Sequence, residues 1–365
     1  MSYEPSLPDL FRMVQSMRPH DSLQEQRFVN DWLVPLDLKI DSFGNLYKWI
    51  GQSKTCWASH MDTCHIHGGV QLVAKEGNKL VLSKHSKSNC LGGDDTAGVW
   101  LMMQMIKAEK PGMYLFHRGE EKGCLGSSFI AEHNKRALSD IKAVISLDRR
   151  STKSVITFQR GLRCCSNKFG ESLAGALGLS HELDQGGIYT DSAKYTDIVG
   201  ECSNLSVGFD GEHSKNESID LPYINALAKA LINMDDTKLV YERKPGAVES
   251  RWSNNDYGGV YGNYGRRSYW EKDLDREDWD DYYKAKYRGG YINTQSRWTK
   301  LTREEWKTWS GRKKKQLSSV ASLLDKDIEL VARMFKEWGF DEAGVVMCLD
   351  EQRRIEAEVV KNELN

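Results

Sequence analysis

Residues 55–63 read Thr55-Cys56-Trp57-Ala58-Ser59-His60-Met61-Asp62-Thr63, and this stretch decides the fold. Its first five residues form a short apolar run of the kind found in buried strands, and a histidine and an aspartate follow close behind. Where strands alternate with helices, functional side chains collect at the carboxyl ends of the strands. The stretch therefore predicts a buried strand with His60 and Asp62 at its end.

Short apolar runs alternate with helix-like stretches on both sides of this strand, up to about residue 240. The pattern predicts a hairpin of residues 38–41 and 46–50, further strands at 113–117, 143–147, 155–158 and 205–209, and helices at 96–107, 127–132 and 223–234. Strands that alternate with helices indicate an α/β fold with helices on both faces of a largely parallel sheet. We therefore expect a three-layer α/β/α architecture around a central, mostly parallel mixed sheet.

Composition divides the chain into three parts. Residues 1–240 carry the strand–helix pattern and are expected to form the main folded domain. Residues 241–300 are rich in Gly, Tyr, Trp and Arg and nearly lack aliphatic side chains, which predicts a flexible linker without a core. Residues 301–365 begin with a capping-box pattern at Thr302 and Glu305 and continue with apolar residues at helical spacing, which predicts a small helical module.

Net charge and cysteine content indicate which partners and which cellular compartment suit the protein. The formal net charge is −1 and the sequence pI is near 6.8, which favours neither nucleic acid nor a membrane surface as a partner. The first ten residues lack the pattern of a secretory signal, and the sequence has no apolar run long enough to cross a membrane. None of the eight cysteines forms a Cys-x-x-Cys pair, so we expect reduced, buried thiols. These features indicate a cytoplasmic protein.

Five segments carry metal-binding side chains in order along the chain. They are His60-x-Asp62, Asp94-Asp95, Glu120-Glu121, Asp148 and His213-x-x-x-Glu217. Imidazole nitrogens and carboxylate oxygens suit a borderline metal such as zinc, and no single segment supplies enough of them. Because each segment is expected where a strand ends or a loop begins, we expect them to form one hydrolytic site with two metal ions.

Each segment alone also has an ordinary structural explanation. Asp94-Asp95 could be an acidic helix start that the helix dipole favours, and Glu120-Glu121 a solvated turn. Asp148 could form a surface ion pair with one of the two arginines that follow it. The order of the five segments favours the single site.

The five segments together resemble the di-zinc metallopeptidase clan that contains bacterial leucyl aminopeptidases, peptidase T and the acetylornithine deacetylase-like deacylases. The clan's motifs are H-x-D-T, G-x-D-D-x-x-G, G/D-E-E-x-G, an Asp at a strand end and a late H-S/T-x-x-E, and all occur here in that order. Residues 41–46 also resemble the clan's D-x-x-G-N-L hairpin. The resemblance covers about residues 8–235.

The resemblance implies a role for each residue. Asp94 would bridge two ions, His60 and Asp148 would complete the shell of the first, Glu121 and His213 that of the second, Glu120 would be the general base, and Asp62 would support His60. Asp95, Asp191 and Glu217 are candidates for supporting roles. Two cations about 3.5–4 Å apart can hold a hydroxide and polarise a substrate carbonyl. We expect zinc, with cobalt or manganese as alternatives, because the same ligands accept all three.

The spacing between motifs indicates which branch of the clan the chain resembles. Members with a lid or dimerisation domain insert roughly a hundred residues in one of two gaps between motifs. Here the gap from His60 to Asp94 is 34 residues (94 − 60), and that from Asp148 to His213 is 65 (213 − 148). Neither gap holds such a domain, so the single-domain aminopeptidase branch is expected.

Several alternatives remain open at this stage. His65 or His67 could replace His60 as a ligand, and Asp95 could replace Asp94 as the bridge. The expected activity is an aminopeptidase acting on short peptides, and a deacylase of N-acyl amino acids is the nearest alternative. A binding or virion-associated structural protein that kept the fold is a third. The helical module could bind a partner protein, whereas nucleic acid is disfavoured by the acidic residues of the linker.

Overall fold

The computed structural model describes residues 3–251. The expected helical module at 301–365 lies outside these residues, as does the expected linker from residue 252 onward. Among the described residues, no helix is both long and apolar enough to cross a membrane.

The described chain forms sixteen strands. They are β1 (Ser16–Met17), β2 (Lys39–Ile40), β3 (Leu46–Ile50), β4 (Thr55–His60), β5 (Gly69–Val70), β6 (Val73–Glu76), β7 (Lys79–Leu82), β8 (Gly112–His117), β9 (Ala143–Arg149), β10 (Ser154–Ile156), β11 (Phe158–Gln159), β12 (Leu162–Arg163), β13 (Glu182–Asp184), β14 (Glu201–Ser206), β15 (Phe209–Asp210) and β16 (Ser218–Asp220).

Six α-helices accompany these strands. They are α1 (Leu7–Met13), α2 (Leu23–Phe28), α3 (Gly93–Lys107), α4 (Leu125–His133), α5 (Asn167–Leu177) and α6 (Leu221–Asn233). Shorter turns of helix include a π-helix at Val29–Leu33 and 3₁₀ turns at Val34–Leu36, Glu120–Lys122, Lys135–Leu138, Asp191–Tyr195 and Asp236–Lys238.

Eight strands form the central sheet in the order β13-β10-β14-β9-β4-β8-β3-β2. The four middle strands, β14, β9, β4 and β8, run parallel to one another, and antiparallel pairs flank them on both sides. Every residue of β4 and β8 is buried, as expected for strands covered on both faces. The predicted mostly parallel mixed sheet is confirmed.

Helices cover both faces of this sheet. Alternate residues of β4 point in opposite directions, so that Trp57 joins one hydrophobic core, whereas Cys56 and Ala58 join the other. The first core lies against α1, α3, α5 and α6, and the second against α4 and the 3₁₀ turns that surround it. The three-layer α/β/α architecture predicted from the sequence is therefore present.

Two predicted strands have different boundaries in the structure. The strand expected at 205–209 begins at Glu201 and ends at Ser206, and Phe209 starts the separate strand β15. The first residues of β14 are polar, so the sequence does not mark them as a strand. Glu201 is nevertheless buried there, because its carboxylate accepts hydrogen bonds from Ser166. The strand expected at 155–158 ends at Ile156, and Phe158 lies in β11.

A second, smaller sheet carries the loop that contains His213. Its four strands follow the order β15-β16-β7-β6 and are all antiparallel. This sheet packs beside α3 and holds the loop 211–217 between β15 and β16.

The first residues of the expected linker are attached to the domain. The amides of Glu242 and Arg243 donate to Oε1 of Glu201 at 2.7 and 2.8 Å, and the Tyr241 ring stacks on Phe169 with a centroid distance of 6.1 Å. Residues 241–251 therefore extend the folded domain past the boundary expected at residue 240.

Candidate metal centre

The first cluster of candidate ligands lies where β4, α3 and β9 meet. Nε2 of His60 is 2.9 Å from Oδ1 of Asp94 and 3.7 Å from Oδ1 of Asp148. His60 is the last residue of β4, Asp94 lies at the start of α3, and Asp148 lies within β9, which ends two residues later than expected, at Arg149. All three side chains are largely buried. The structure thus brings together three residues that are up to 88 positions apart (148 − 60).

The second cluster shares Asp94 with the first. Nε2 of His213 lies 3.3 Å from Oδ2 of Asp94 and 3.1 Å from Oε1 of Glu121. His213 lies on the loop between β15 and β16, and half of its side chain is exposed. The two oxygens of Asp94 therefore face one cluster each, which is the arrangement that a bridging carboxylate requires.

Crowded carboxylates show that this donor set fits cations. Burial raises the pKa of Asp148 to about 7, and the charge on Asp94 adds to the shift. Burial also raises the pKa of Glu120 well above its ordinary value, with Asp148 and Asp191 contributing. Like charges held together in a buried site disfavour ionisation unless positive charge is supplied. Two divalent ions would supply it, and each cluster offers the nitrogen and oxygen donors that zinc takes.

The histidines currently provide part of that positive charge. Burial lowers the pKa of His60, but Asp148, Asp62 and Asp94 outweigh it and raise the pKa well above its ordinary value. Hydrogen bonds to Asp94 and Glu121 raise the pKa of His213 to about 12. Both imidazoles must be neutral to bind a metal, so metal binding would release protons from this site.

Asp95 points away from both clusters. Its Oδ1 accepts a hydrogen bond from the Gly98 amide at 2.9 Å, and its Oδ2 accepts from the Ser59 hydroxyl and from the His60 amide at 3.2 Å. The carboxylate of Asp95 thus ties the start of α3 to the end of β4. Of the two adjacent aspartates, Asp94 is the one that lies against His60 and His213.

Asp62, which is expected to support His60, contacts that histidine through its main chain. Nδ1 of His60 lies 2.9 Å from the main-chain oxygen of Asp62 but 3.7 Å from its carboxylate. That carboxylate instead accepts from the amides of Gly119, Glu120 and Glu121 at 2.9, 3.2 and 3.3 Å. Because the amides of this turn all point at one buried charge, Asp62 fixes the turn that carries Glu120 and Glu121.

Glu217 holds the loop that leads to Asp94. Its buried carboxylate accepts hydrogen bonds from the amides of Leu91, Gly92 and Asp94 at 2.9, 2.8 and 2.9 Å. These hydrogen bonds place Glu217, a candidate for a supporting role, in direct contact with the main chain of Asp94. Asp191 lies behind Glu120 rather than among the ligands, where it accepts a hydrogen bond from Ser127 and lies 3.2 Å from Nδ1 of His117.

Two residues near the site were missed in the sequence. Arg18 is fully buried, where its Nε donates to the Met61 oxygen at 2.5 Å and its Nη2 to the Thr96 hydroxyl at 2.9 Å. The guanidinium therefore joins the segment between His60 and Asp62 to the first turn of α3.

The other missed residue, Asn204, forms a pair of hydrogen bonds with the main chain of Asp148. Its Oδ1 accepts from the Asp148 amide at 3.1 Å, and its Nδ2 donates to the Asp148 oxygen at 3.0 Å. An arginine or asparagine between motifs carries no periodic or spacing signal, so only the three-dimensional contacts reveal these roles.

The histidines considered as replacements for His60 are placed elsewhere. Nδ1 of His65 is 2.7 Å from the Thr63 hydroxyl, and its Nε2 is 3.1 Å from the Cys90 oxygen, so both nitrogens have protein partners. Burial lowers the pKa of His65 to about 4. His67 is exposed. Arg149 and Arg150, considered as ion-pair partners of Asp148, pair with Asp184 and Glu212 instead.

The cysteines largely follow the expectation of reduced, buried thiols. The seven described cysteines are all free, and six of them are buried. Cys64 is the exception, since its side chain is half-buried and its sulfur lies near Glu121 and His213. Nothing in the sequence distinguishes Cys64 from the other thiols.

Residues 56–197 match peptidase family M28. The matched segment contains His60, Asp94, Glu120, Glu121 and Asp148, and it ends before the loop of the last motif. The match confirms the resemblance to the metallopeptidase clan and the class of activity that it implies, which is metal-dependent peptide hydrolysis.

Solved structures of two bacterial enzymes share the fold. The chain is 14% identical to a tripeptidase from Staphylococcus aureus, with a TM-score of 0.54, and the match covers 64% of this chain and 97% of that one. It is also 14% identical to the aminopeptidase PepT from Bacillus cereus, with a TM-score of 0.50 and the same two coverages. No curated protein matches the sequence.

Proposed function

We propose that the protein is an aminopeptidase that uses two metal ions to cleave the amino-terminal bond of short peptides. The observation that carries the proposal is the position of Asp94, whose two carboxylate oxygens face His60 at 2.9 Å and His213 at 3.3 Å. A shared carboxylate between two histidine-containing clusters suits a pair of ions in contact with one substrate group. The M28 match supports peptide hydrolysis as the reaction.

The residues would divide the two ions between them. His60, Asp94 and Asp148 would hold the first, and Asp94, Glu121 and His213 the second. When bound, divalent ions at such a site polarise the scissile carbonyl and lower the pKa of water. Zinc is the proposed native ion because the donors are imidazole nitrogens and carboxylate oxygens. Cobalt or manganese would occupy the same donors.

Glu120 would be the general base. Its turn is fixed by Asp62, and burial together with neighbouring carboxylates raises its pKa well above the ordinary value. A base with a raised pKa can take a proton from the attacking water and then deliver it to the leaving amine. Asp62 would act as a positioning residue for Glu120 and its neighbour Glu121.

The proposal extends to the domain organisation, the cellular location and the substrate. The catalytic domain would comprise residues 1–240 together with the attached stretch 241–251, and residues 301–365 would form a helical module that binds a partner protein. The protein would act in the cytoplasm, which agrees with the seven free thiols among the described residues. Short peptides would be the substrates.

Substitution of Glu120 by Gln tests the catalytic assignment. We expect kcat on aminoacyl-anilide substrates to fall by about 10²–10⁴-fold, since proton transfer contributes that much in other enzymes. Bound metal, measured by elemental analysis, should stay at the wild-type level because Glu120 is not among the proposed ligands. Glu132→Gln on the exposed face of α4 is the matched control and should leave both values unchanged.

Two results would contradict the proposal. Near-normal hydrolysis by the Glu120→Gln variant would exclude Glu120 as the base. If the wild-type protein hydrolysed N-acetyl amino acids but not aminoacyl-anilides, the activity would be that of a deacylase instead. A chelator should abolish whichever activity is found.

A further inference from the structure

The half-buried thiol of Cys64 lies beside the second cluster. Its sulfur, a carboxylate oxygen of Glu121 and a ring nitrogen of His213 all lie within 4.8 Å of one another. Two atoms bound to one zinc ion at about 2.0–2.3 Å cannot be more than about 4.6 Å apart. The three donors therefore need only a small adjustment to share one ion.

The oxygens around this sulfur are already arranged for a cation. Oε1 of Glu121 is buried, and the exposed fraction of its side chain is 10%. It lies 3.1 Å from Nε2 of His213, a spacing that two atoms on one ion also adopt. Oδ2 of Asp94 lies 3.3 Å from the same nitrogen. Cys64, Glu121 and His213 thus lie together, and Asp94 adjoins them through its contact with His213.

We propose that Cys64 is the fourth protein ligand of the second ion. The inference rests on the proposed function, because the second ion belongs to that proposal. It assigns this ion a Cys-His-carboxylate donor set, whereas the first ion would have only His60 and two carboxylates. Ions with four protein ligands are held closed, and ions with three keep a position for water or substrate. The first ion is then the one open to substrate.

The main chain holds Cys64 in this place. Nδ2 of Asn89 donates to the Cys64 oxygen at 3.1 Å, and the Ile66 amide donates to Oδ1 of Asn89 at 3.0 Å. These two bonds fasten the loop after β4 to the loop before α3. A ligand whose main chain is held in place loses little freedom when the metal binds.

A second thiol, that of Cys90, lies close to Cys64. The sulfur of Cys90 is 3.4 Å from that of Cys64, and Cys90 is fully buried. Cys90 is outside the group formed by Cys64, Glu121 and His213. It therefore provides a matched control, since it is a neighbouring thiol that is not expected to bind the ion.

The donor set also implies a selectivity for the metal. Thiolate is a soft ligand that favours zinc and cobalt, whereas manganese and magnesium prefer oxygen. The second position should therefore discriminate against manganese more strongly than the first. Substitution of the thiol by a hydroxyl should weaken that discrimination.

Spectroscopy of the cobalt-substituted full-length protein tests the assignment. A thiolate bound to Co²⁺ gives an intense near-ultraviolet charge-transfer band, which oxygen and nitrogen ligands do not give. We expect the band in the wild type and in Cys90→Ala, and its loss in Cys64→Ser. Equilibrium dialysis against zinc should show that Cys64→Ser binds the second ion at least about 10-fold more weakly, while the first ion is retained.

A measurement on the unmodified protein covers the case in which Cys64→Ser does not fold. Zinc should protect one thiol from alkylation, and mass spectrometry should identify it as Cys64. The assignment is overturned if the wild type with two bound Co²⁺ ions shows no charge-transfer band. It is also overturned if zinc protects Cys90 but not Cys64, or if Cys64→Ser keeps the band.

Peptidase activity measured in the same samples separates the two proposals. Hydrolysis of aminoacyl-anilides without the charge-transfer band would overturn the role of Cys64 and leave the proposed function intact. Two bound ions with the band but no hydrolysis would overturn the proposed function alone.

Discussion

At the scale of single residues, one buried carboxylate positions another. Glu217 accepts three main-chain hydrogen bonds from the loop that leads to Asp94, which is the residue shared by both clusters. Oε2 takes two of these bonds and Oε1 the third. A glutamine side chain in this position has one oxygen that can accept and one NH₂ group that can only donate. At least one of the three main-chain N–H groups would then face the NH₂ group and lose its acceptor.

The Glu217→Gln variant should therefore be destabilised. We expect the free energy of unfolding to fall by about 1–3 kcal/mol, the cost of leaving a buried hydrogen-bonding group unsatisfied. Urea denaturation followed by tryptophan fluorescence measures it. Glu171→Gln on the exposed face of α5 is the control and should change stability by less than about 0.5 kcal/mol. Equal midpoints for the two variants would refute the role of Glu217.

A second prediction at this scale concerns a histidine far from the metal centre. Nε2 of His181 lies 2.7 Å from the Tyr223 hydroxyl, and that hydroxyl donates to the Ser206 oxygen at 2.9 Å. Nδ1 of His181 is buried without a hydrogen-bond partner among the described residues. Protonation would bury an unsatisfied donor, and burial lowers the pKa of His181 to about 4.

The sign of the resulting pH dependence follows from the direction of this shift. Between about pH 4 and pH 6.5 the unfolded chain binds a proton at this histidine that the folded chain does not, so stability rises with pH in that window. Its contribution is present above pH 6.5 and is lost as the pH falls, by at most about 2 kcal/mol because the ring keeps some contact with solvent. His181→Gln should flatten the profile of unfolding free energy against pH, and exposed His85→Gln should not. Parallel profiles for wild type and His181→Gln would contradict this account.

At the scale of elements, α3 and β9 approach closely enough to require a glycine. A Cβ atom added at Gly98 would lie 2.0 Å from the Leu147 oxygen and 2.5 Å from Oδ1 of Asp95. Neither neighbour is the mobile end of a long side chain, since one belongs to β9 and the other ties α3 to β4. The glycine in the G-x-D-D-x-x-G motif is thus explained by helix–strand packing.

The Gly98→Ala variant should separate α3 from β9. We expect a loss of about 3 kcal/mol or more in the free energy of unfolding, at the upper end of overpacking effects. Gly175→Ala in α5 is the matched control, because nothing lies within 4 Å of an added Cβ there. That control should gain about 0.4–1 kcal/mol through the helix propensity of alanine. Thermal denaturation of both variants gives the comparison, and a stable Gly98→Ala protein would show that the helix can shift without cost.

At the scale of the whole molecule, the proposed ions would link segments from residue 60 to residue 213. A ligand that binds only the folded state adds stability, by about 2.7 kcal/mol when its free concentration is 100 times Kd. Chelation should therefore lower the Tm of the wild-type protein, and added zinc should restore it. Asp94→Asn, which lacks the shared carboxylate, should show a much smaller response to both treatments. A wild-type Tm that does not respond to a chelator would contradict metal binding at these clusters.

The sequence predicted the architecture because alternation of strands and helices is a local signal that many residues repeat. It predicted candidate ligands because their motifs have characteristic spacings, and Asp94 and His213 do lie together in the structure. It did not predict the contacts that hold those ligands. Arg18 and Asn204 reach the site from segments without a motif, and Cys64 directly follows the H-x-D-T motif. The partners of all three are set by packing rather than by position in the chain.

The order of strands in the central sheet has a consequence for biosynthesis. β14 is the last of the eight strands along the chain, yet it lies between β9 and β10. When residues up to 200 have emerged from the ribosome, β10 and β13 have therefore been made. The strand that joins them to the rest of the sheet, β14, has not. The domain can close only after β14 emerges, and His213 follows seven residues later (213 − 206). Folding and completion of the ligand set would thus coincide near the end of the domain's translation, so a chain truncated before this point should carry no metal centre.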